Sequence, residues 1–107
     1  MTIDEIYELV FSNIRKTINT DTWEKAVLNV EGGDNEIGME GHYFSNNTKH
    51  YLQVQDFDMD VGFALMDLHK ITTKSGNYRW NYAVFTLLHS GEYKIDYSWK
   101  ENIYDEE

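Results

Sequence analysis

The chain's 107 residues suit one compact domain, and with 41% hydrophobic and 15% aromatic side chains it can bury a core rather than stay disordered. It holds no cysteine, so no disulfide frames it, and no apolar run approaches the roughly 20 residues of a membrane span. Nine basic residues against 19 acidic ones give a net charge of −10, a field that repels nucleic acid and anionic membranes and attracts basic proteins.

The first predicted element is a helix. Ile3, Ile6, Tyr7, Val10, Phe11, Ile14 and Ile18 recur at helical spacing and give one apolar stripe. Thr2 and Glu5 fit a capping box, and residues 19–21 should end the helix. This start reads as a folded helix without a basic leader region, so no signal peptide is expected and the cytoplasm is the expected compartment. A strand over about 23–31 follows, with Ala26, Leu28 and Val30 on one face. Gly32-Gly33-Asp34-Asn35 supplies turn residues that tolerate positive φ, so a hairpin is expected. The returning strand puts Ile37, Met39, Gly41 and Tyr43 on one face. Ser45-Asn46-Asn47 makes a second turn, and a weaker third strand covers 50–53.

A second helix is expected from about 58 or 59 to 73, with Val61, Ala64, Leu65, Leu68, Ile71 and Thr72 as its buried stripe. Ser75-Gly76-Asn77 ends it. An apolar strand over 78–88, a turn at His89-Ser90-Gly91 and an alternating strand over 92–99 complete the order. Tyr93, Tyr97 and Trp99 read as core, and His89 as exposed. The tail from about residue 100 is acidic and expected to fray. Hairpin-length connections imply an α+β fold: one antiparallel sheet of about five strands, two helices on one face, order α-β-β-β-α-β-β.

The run QDFDMDVGFALMD at 55–67 tests a metal reading. Asp56, Asp58 and Asp60 alternate like positions 1, 3 and 5 of a calcium loop. Position 6 is Val61 where glycine is required, and position 12 is Asp67, one methylene shorter than the required glutamate. The run serves better as the lead-in to the second helix, with Asp56 or Asp58 as N-cap against the positive end of the dipole. That accounts for one or two aspartates and leaves a surplus. Histidines 42, 50, 69 and 89 lack metal-pair spacing, although His42 and His50 could face each other across a hairpin. No cysteine nucleophile, nucleophile elbow or phosphate loop is present. No cofactor is implied.

The closing stretch WNYAVFTLLHSGEYKIDYSW resembles the final hairpin of the YezG-like immunity family, through Trp80, Phe85-Thr86-Leu87, Gly91 and Tyr93 to Tyr97. IYELVFSNIRKTI and the Trp23-Glu24-Lys25 of TWEKAVLNVE are similar to the family's opening, so the resemblance spans nearly the whole chain. It implies a non-enzymatic antitoxin of the cytoplasm that neutralises the toxic C-terminal domain, often a nuclease, of a secreted or contact-delivered toxin. The family offers a role but no transferable contact list; Trp23, Trp80, Gly91 and Asp96 match its pattern as fold residues. The residues agree on the partner, because a nuclease must be basic to hold phosphates and an acidic inhibitor complements it. The expected contacts are Asp56, Asp58, Asp60 and Asp67, with Glu101, Tyr104, Asp105, Glu106 and Glu107 of the tail. Neither nucleic acid nor membrane is expected as a partner, and a monomer is the default. The rival readings are a small metal- or ligand-binding module on the aspartates or histidines, and a small hydrolase with diffuse carboxylates.

Overall fold

The computed structural model describes residues 1–74 and 79–101. It shows the expected α+β architecture. The elements are α1 (Ile3–Thr17), β1 (Trp23–Gly32), β2 (Ile37–Ser45), β3 (Thr48–Tyr51), α2 (Asp60–Thr73), β4 (Tyr82–Leu88) and β5 (Tyr93–Ser98). The strands form one antiparallel sheet in the order β3-β2-β1-β4-β5.

Helix α1 starts where its capping box predicts. The Glu5 N–H donates to Thr2 Oγ1 at 3.1 Å, and the Thr2 N–H donates to Glu5 Oε1 at 2.8 Å. Asp4 and Glu5 open the helix while Arg15 and Lys16 close it, both favourable to the helix dipole. Its stripe of Ile6, Val10, Phe11 and Ile14 meets Val61, Ala64, Leu65 and Leu68 of α2 and the inward residues of the sheet in one core. Those inward residues are Ala26, Leu28 and Val30 of β1 with Ala83, Phe85 and Leu87 of β4. The period of two and the period of 3.6 thus bury matching faces. Among the described residues no helix is long and apolar enough to cross a membrane.

Several local expectations are corrected. The third strand covers Thr48–Tyr51 rather than 50–53, because Asn46 and Asn47 take positive φ values of 54° and 63° and reverse the chain tightly. Leu52 therefore leaves the strand and drops into the core, its N–H donating to the Gly41 carbonyl at 2.9 Å. His42 pairs with Tyr51, and His50 pairs with Tyr43 and stacks on its ring at 5.0 Å, so the two histidines do not face each other. Ile71 is 42% exposed instead of buried, since the buried arc of α2 runs through Val61, Ala64, Leu65 and Leu68 and leaves Ile71 off it.

Strand β4 begins at Tyr82, and of its expected start Tyr78 lies outside the described residues. Trp80 is not in the strand; its indole fills the core and its N–H donates to Thr72 Oγ1 at 2.7 Å. A buried indole needs such an acceptor, and the helix supplies it. Asn81 takes the place of a strand residue, its side chain exchanging two hydrogen bonds with the Lys100 backbone at 2.8 and 2.9 Å. On the edge strand Ile95 and Tyr97 pack against the core, and the Tyr97 hydroxyl lies 2.7 Å from that of Tyr7. Tyr93 and Trp99 are half-exposed rather than core: Tyr93 lays one side of its ring 4.8 Å from that of Phe11 in α1, and Trp99 lies past the end of β5 with the Arg79 guanidinium over its ring. His89 is exposed as expected, with Trp23 against its ring.

Two glycines test this packing in opposite directions. A Cβ at Gly41 would lie 2.5 Å from the Val27 carbonyl oxygen and 2.7 Å from Leu52 Cδ1. Gly41→Ala is expected to lower unfolding free energy by about 1–3 kcal/mol through overpacking. A Cβ at Gly62 meets nothing within 4 Å, so Gly62→Ala is expected to raise it by about 0.5 kcal/mol through helix propensity. Urea denaturation of both variants reads the two signs.

Candidate functional site

Helix α2 has two faces of different character. Val61, Ala64, Leu65 and Leu68 bury one arc, and Asp60, Phe63, Asp67, Lys70 and Ile71 lie on the opposite one. Phe63 sits three residues after Asp60 and four before Asp67, so all three are surface neighbours. Met59, in the turn before the helix, is four residues before Phe63. Met59 is 79% exposed and Phe63 65% exposed. A single exposed apolar side chain is ordinary, but two together with Ile71 on one helix make a patch.

The expected aspartates divide around this patch. Asp56 closes a short 3-10 turn (Val54–Asp56) and Asp60 opens α2. Neither is the N-cap: the cap position is Met59, with helical dihedrals and no side-chain cap bond. Asp58 is not a cap either, because Lys16 Nζ holds its Oδ1 at 2.7 Å. Its backbone N–H donates to Asn13 Oδ1 at 2.8 Å, and its carbonyl accepts from Val61 at 3.0 Å. The carboxylates of Asp56, Asp60 and Asp67 have no hydrogen-bond or ion-pair partner among the described residues. Asp60 and Asp67 are therefore available beside Phe63, Asp56 is available in the turn before the helix, and Asp58 is spent on joining α2 to α1. Glu101 is exposed in the turn after β5, and nothing joins it to the α2 patch. Tyr104, Asp105, Glu106 and Glu107 lie outside the described residues.

Sequence periodicity alone left Phe63 and Met59 unassigned. The signal was present: both fall off the buried stripe, and they lie four residues apart on the same surface. Both ends of α2 are also pinned, which fixes the patch in space. At the start, Lys16 and Asn13 of α1 hold Asp58. Toward the end, His69 Nε2 donates to the Trp80 carbonyl at 2.8 Å, and its Nδ1 lies 2.6 Å from Asp34 Oδ1 of the β1–β2 turn.

Other arrangements offer less chemistry. Among the described residues no group of three or more His, Asp or Glu side chains is placed to hold a metal ion, and the alternating aspartates diverge into a turn, an ion pair and a helix. No described histidine bonds a serine or threonine hydroxyl, so no nucleophile and base are brought together there. A cleft of about 330 Å³ between α1 and the β4–β5 hairpin is lined by Tyr7, Phe11, Arg15 and Tyr93. Its serine, Ser12, donates to the Leu9 carbonyl.

Comparison with known proteins returns no matching family model and no similar curated sequence.

The Lys16 contact has a measurable signature. Its hydrogen bond first, and its charge second, hold the Asp58 carboxyl below the usual aspartate value. A lowered folded-state pKa adds stability above the unfolded-state pKa, and that share is lost as pH falls through the folded one. In an NMR pH titration Asp58 should have a midpoint below the usual aspartate value, and Lys16→Met should raise it. Both groups of the pair are half-exposed, so the variant should leave thermal stability nearly unchanged.

Proposed function

We propose that this chain is an immunity-type inhibitor. It binds, one to one, the basic toxic domain of a cognate secreted or contact-delivered toxin, and it acts in the cytoplasm by binding rather than by catalysis. The observation that carries this reading is the α2 patch: Phe63 and Met59 exposed beside the carboxylates of Asp60 and Asp67, with Asp56 in the preceding turn, none of the three paired among the described residues. Tight protein interfaces combine an apolar anchor with surrounding polar contacts, and the anchor supplies most of the affinity. Covering a phenylalanine stabilises a complex by roughly 1.5–3 kcal/mol. Carboxylates around it steer a basic partner and speed encounter. A nuclease surface, which carries Lys and Arg for phosphate, is the complement such a patch fits. The net charge of −10 and the resemblance of the closing hairpin to immunity proteins support the same reading.

The test uses the basic toxin domain that this reading expects the neighbouring reading frame to encode. Phe63→Ala should weaken binding about 30-fold, mainly through faster dissociation. Reversing Asp56, Asp60 and Asp67 to lysine should slow association and flatten its salt dependence, with circular dichroism unchanged. Asp58→Asn should have little effect, because Lys16 already occupies that carboxylate. Unchanged rates in the first two variants would remove α2 from the interface, and absence of any complex with the toxin domain would end the immunity reading.

A further inference from the structure

The sheet face turned away from the helices has a charge order of its own, fixed by strand register. Lys25 of β1 pairs across to Phe44 and Leu88, and Phe44 to Lys49 of β3. One row further along, Val27 pairs with His42 and Thr86, and Thr86 with Lys94 of β5. In the third row Asn29 pairs with Glu40 and Val84, and Val84 with Asp96. In the fourth, Glu31 pairs with Tyr82. Lys25, Lys49 and Lys94 with Glu92 therefore occupy one half of the face, and Glu31, Glu40 and Asp96 with Lys100 the other, so the first half is net positive and the second net negative. Two buffered groups report the same division: burial, then Lys49 and Lys25, lower the His42 pKa, whereas burial, then Glu31 and Glu40, raise that of Tyr82.

This face does not match a uniformly basic partner, because half of it is lysine. Nor does it carry the chain's net −10, because its four lysines and four carboxylates cancel, Lys100 lying over the Tyr82 ring at 3.8 Å. Its own complement is itself turned end for end. A two-fold axis running across the strands, between the second and third rows, lays each lysine half over a carboxylate half. It sets Lys25 toward Glu31 of the partner subunit, and it lays the Lys94–Asp96 pair, 3.6 Å apart within one copy, over the same pair of the partner subunit in reverse order. An axis along the strands would lay like charge over like, so the charge order selects one symmetry. Between the charges lie Val27, Val84, Phe44 and Leu88, none of them part of the helix-covered core.

We propose that the open face of the sheet is a self-association surface on which a second copy of this chain packs face to face about that axis. Five strands at about 4.8 Å spacing and some six residues at about 3.4 Å rise present on the order of 500 Å² per copy. That total is at the lower bound of specific interfaces, so the dimer is weak and salt-sensitive. The proposal departs from the monomer expected by default, and it uses the layer opposite α2, so it stands or falls separately from the toxin reading.

Sedimentation equilibrium of the full chain alone, without any toxin, tests it. The wild type should show a monomer–dimer equilibrium over a micromolar to millimolar series, shifting to monomer as salt rises. Lys25→Glu with Lys94→Glu should weaken the dimer at least about tenfold, as should Glu31→Lys with Asp96→Lys. An equimolar mixture of the two double variants should restore association as a one-to-one heterodimer. A wild type that stays monomeric throughout the series overturns the proposal without recourse to any variant. So does a dimer that either double variant leaves intact, or a mixture of folded variants that fails to associate.

Discussion

Strand β1 is hydrogen-bonded along both edges yet buried on one face only, and its register decides what every other element must be. Ala26, Leu28 and Val30 point into the core, while Lys25, Val27, Asn29 and Glu31 point out. A slip of one residue against β2 or β4 would bury Lys25 and Glu31 and expose the apolar set, at a cost no small domain could absorb. The bare face and the covered face are therefore products of the same alternation. Both helices must lie where Ala26, Leu28 and Val30 need cover, and α2 must turn its remaining arc, with Phe63, to solvent.

Polar contacts then decide how firmly the helical layer sits. Apolar packing sets where α2 lies but tolerates rotation; directional bonds do not. Asp58 to Lys16 and Asn13, His69 to Asp34 and Trp80, and Trp80 to Thr72 tie α2 to α1, to the first hairpin and to the lead-in of β4. Every described buried side-chain polar atom has a partner. A helix held in this way can present Met59 and Phe63 with little ordering cost on binding, which is the physical content of preorganisation.

The parts of this fold legible in the sequence were those set by local chemistry or by a long period. The capping box at Thr2 and Glu5, the α1 stripe and the alternation of β1 depend on near neighbours, and each appears where the residues place it. What escaped depends on distant partners. Trp80 reads as strand by propensity, but its buried indole N–H requires Thr72, which nothing local reveals. Leu52 reads as strand until the paired positive-φ asparagines shorten the hairpin and send it inward. Asp58 reads as a helix cap, yet a lysine forty-two residues earlier claims it. The α2 patch was half legible: its carboxylates stood out as a surplus, while Phe63 became meaningful only once the buried arc of the helix was fixed.

The position of β4 bears on how the chain assembles. It is inserted beside β1, with Val30 opposite Ala83 more than fifty residues later, whereas β1, β2 and β3 follow one another as hairpins. The early hairpins are local and quick to close, but their central strand has one edge open until β4 emerges from synthesis. With no proline in the chain, no slow isomerisation delays that last pairing. Commitment to the native state thus coincides with the arrival of residues 82–88, and the nascent chain before that point is a meander with an unpaired apolar edge.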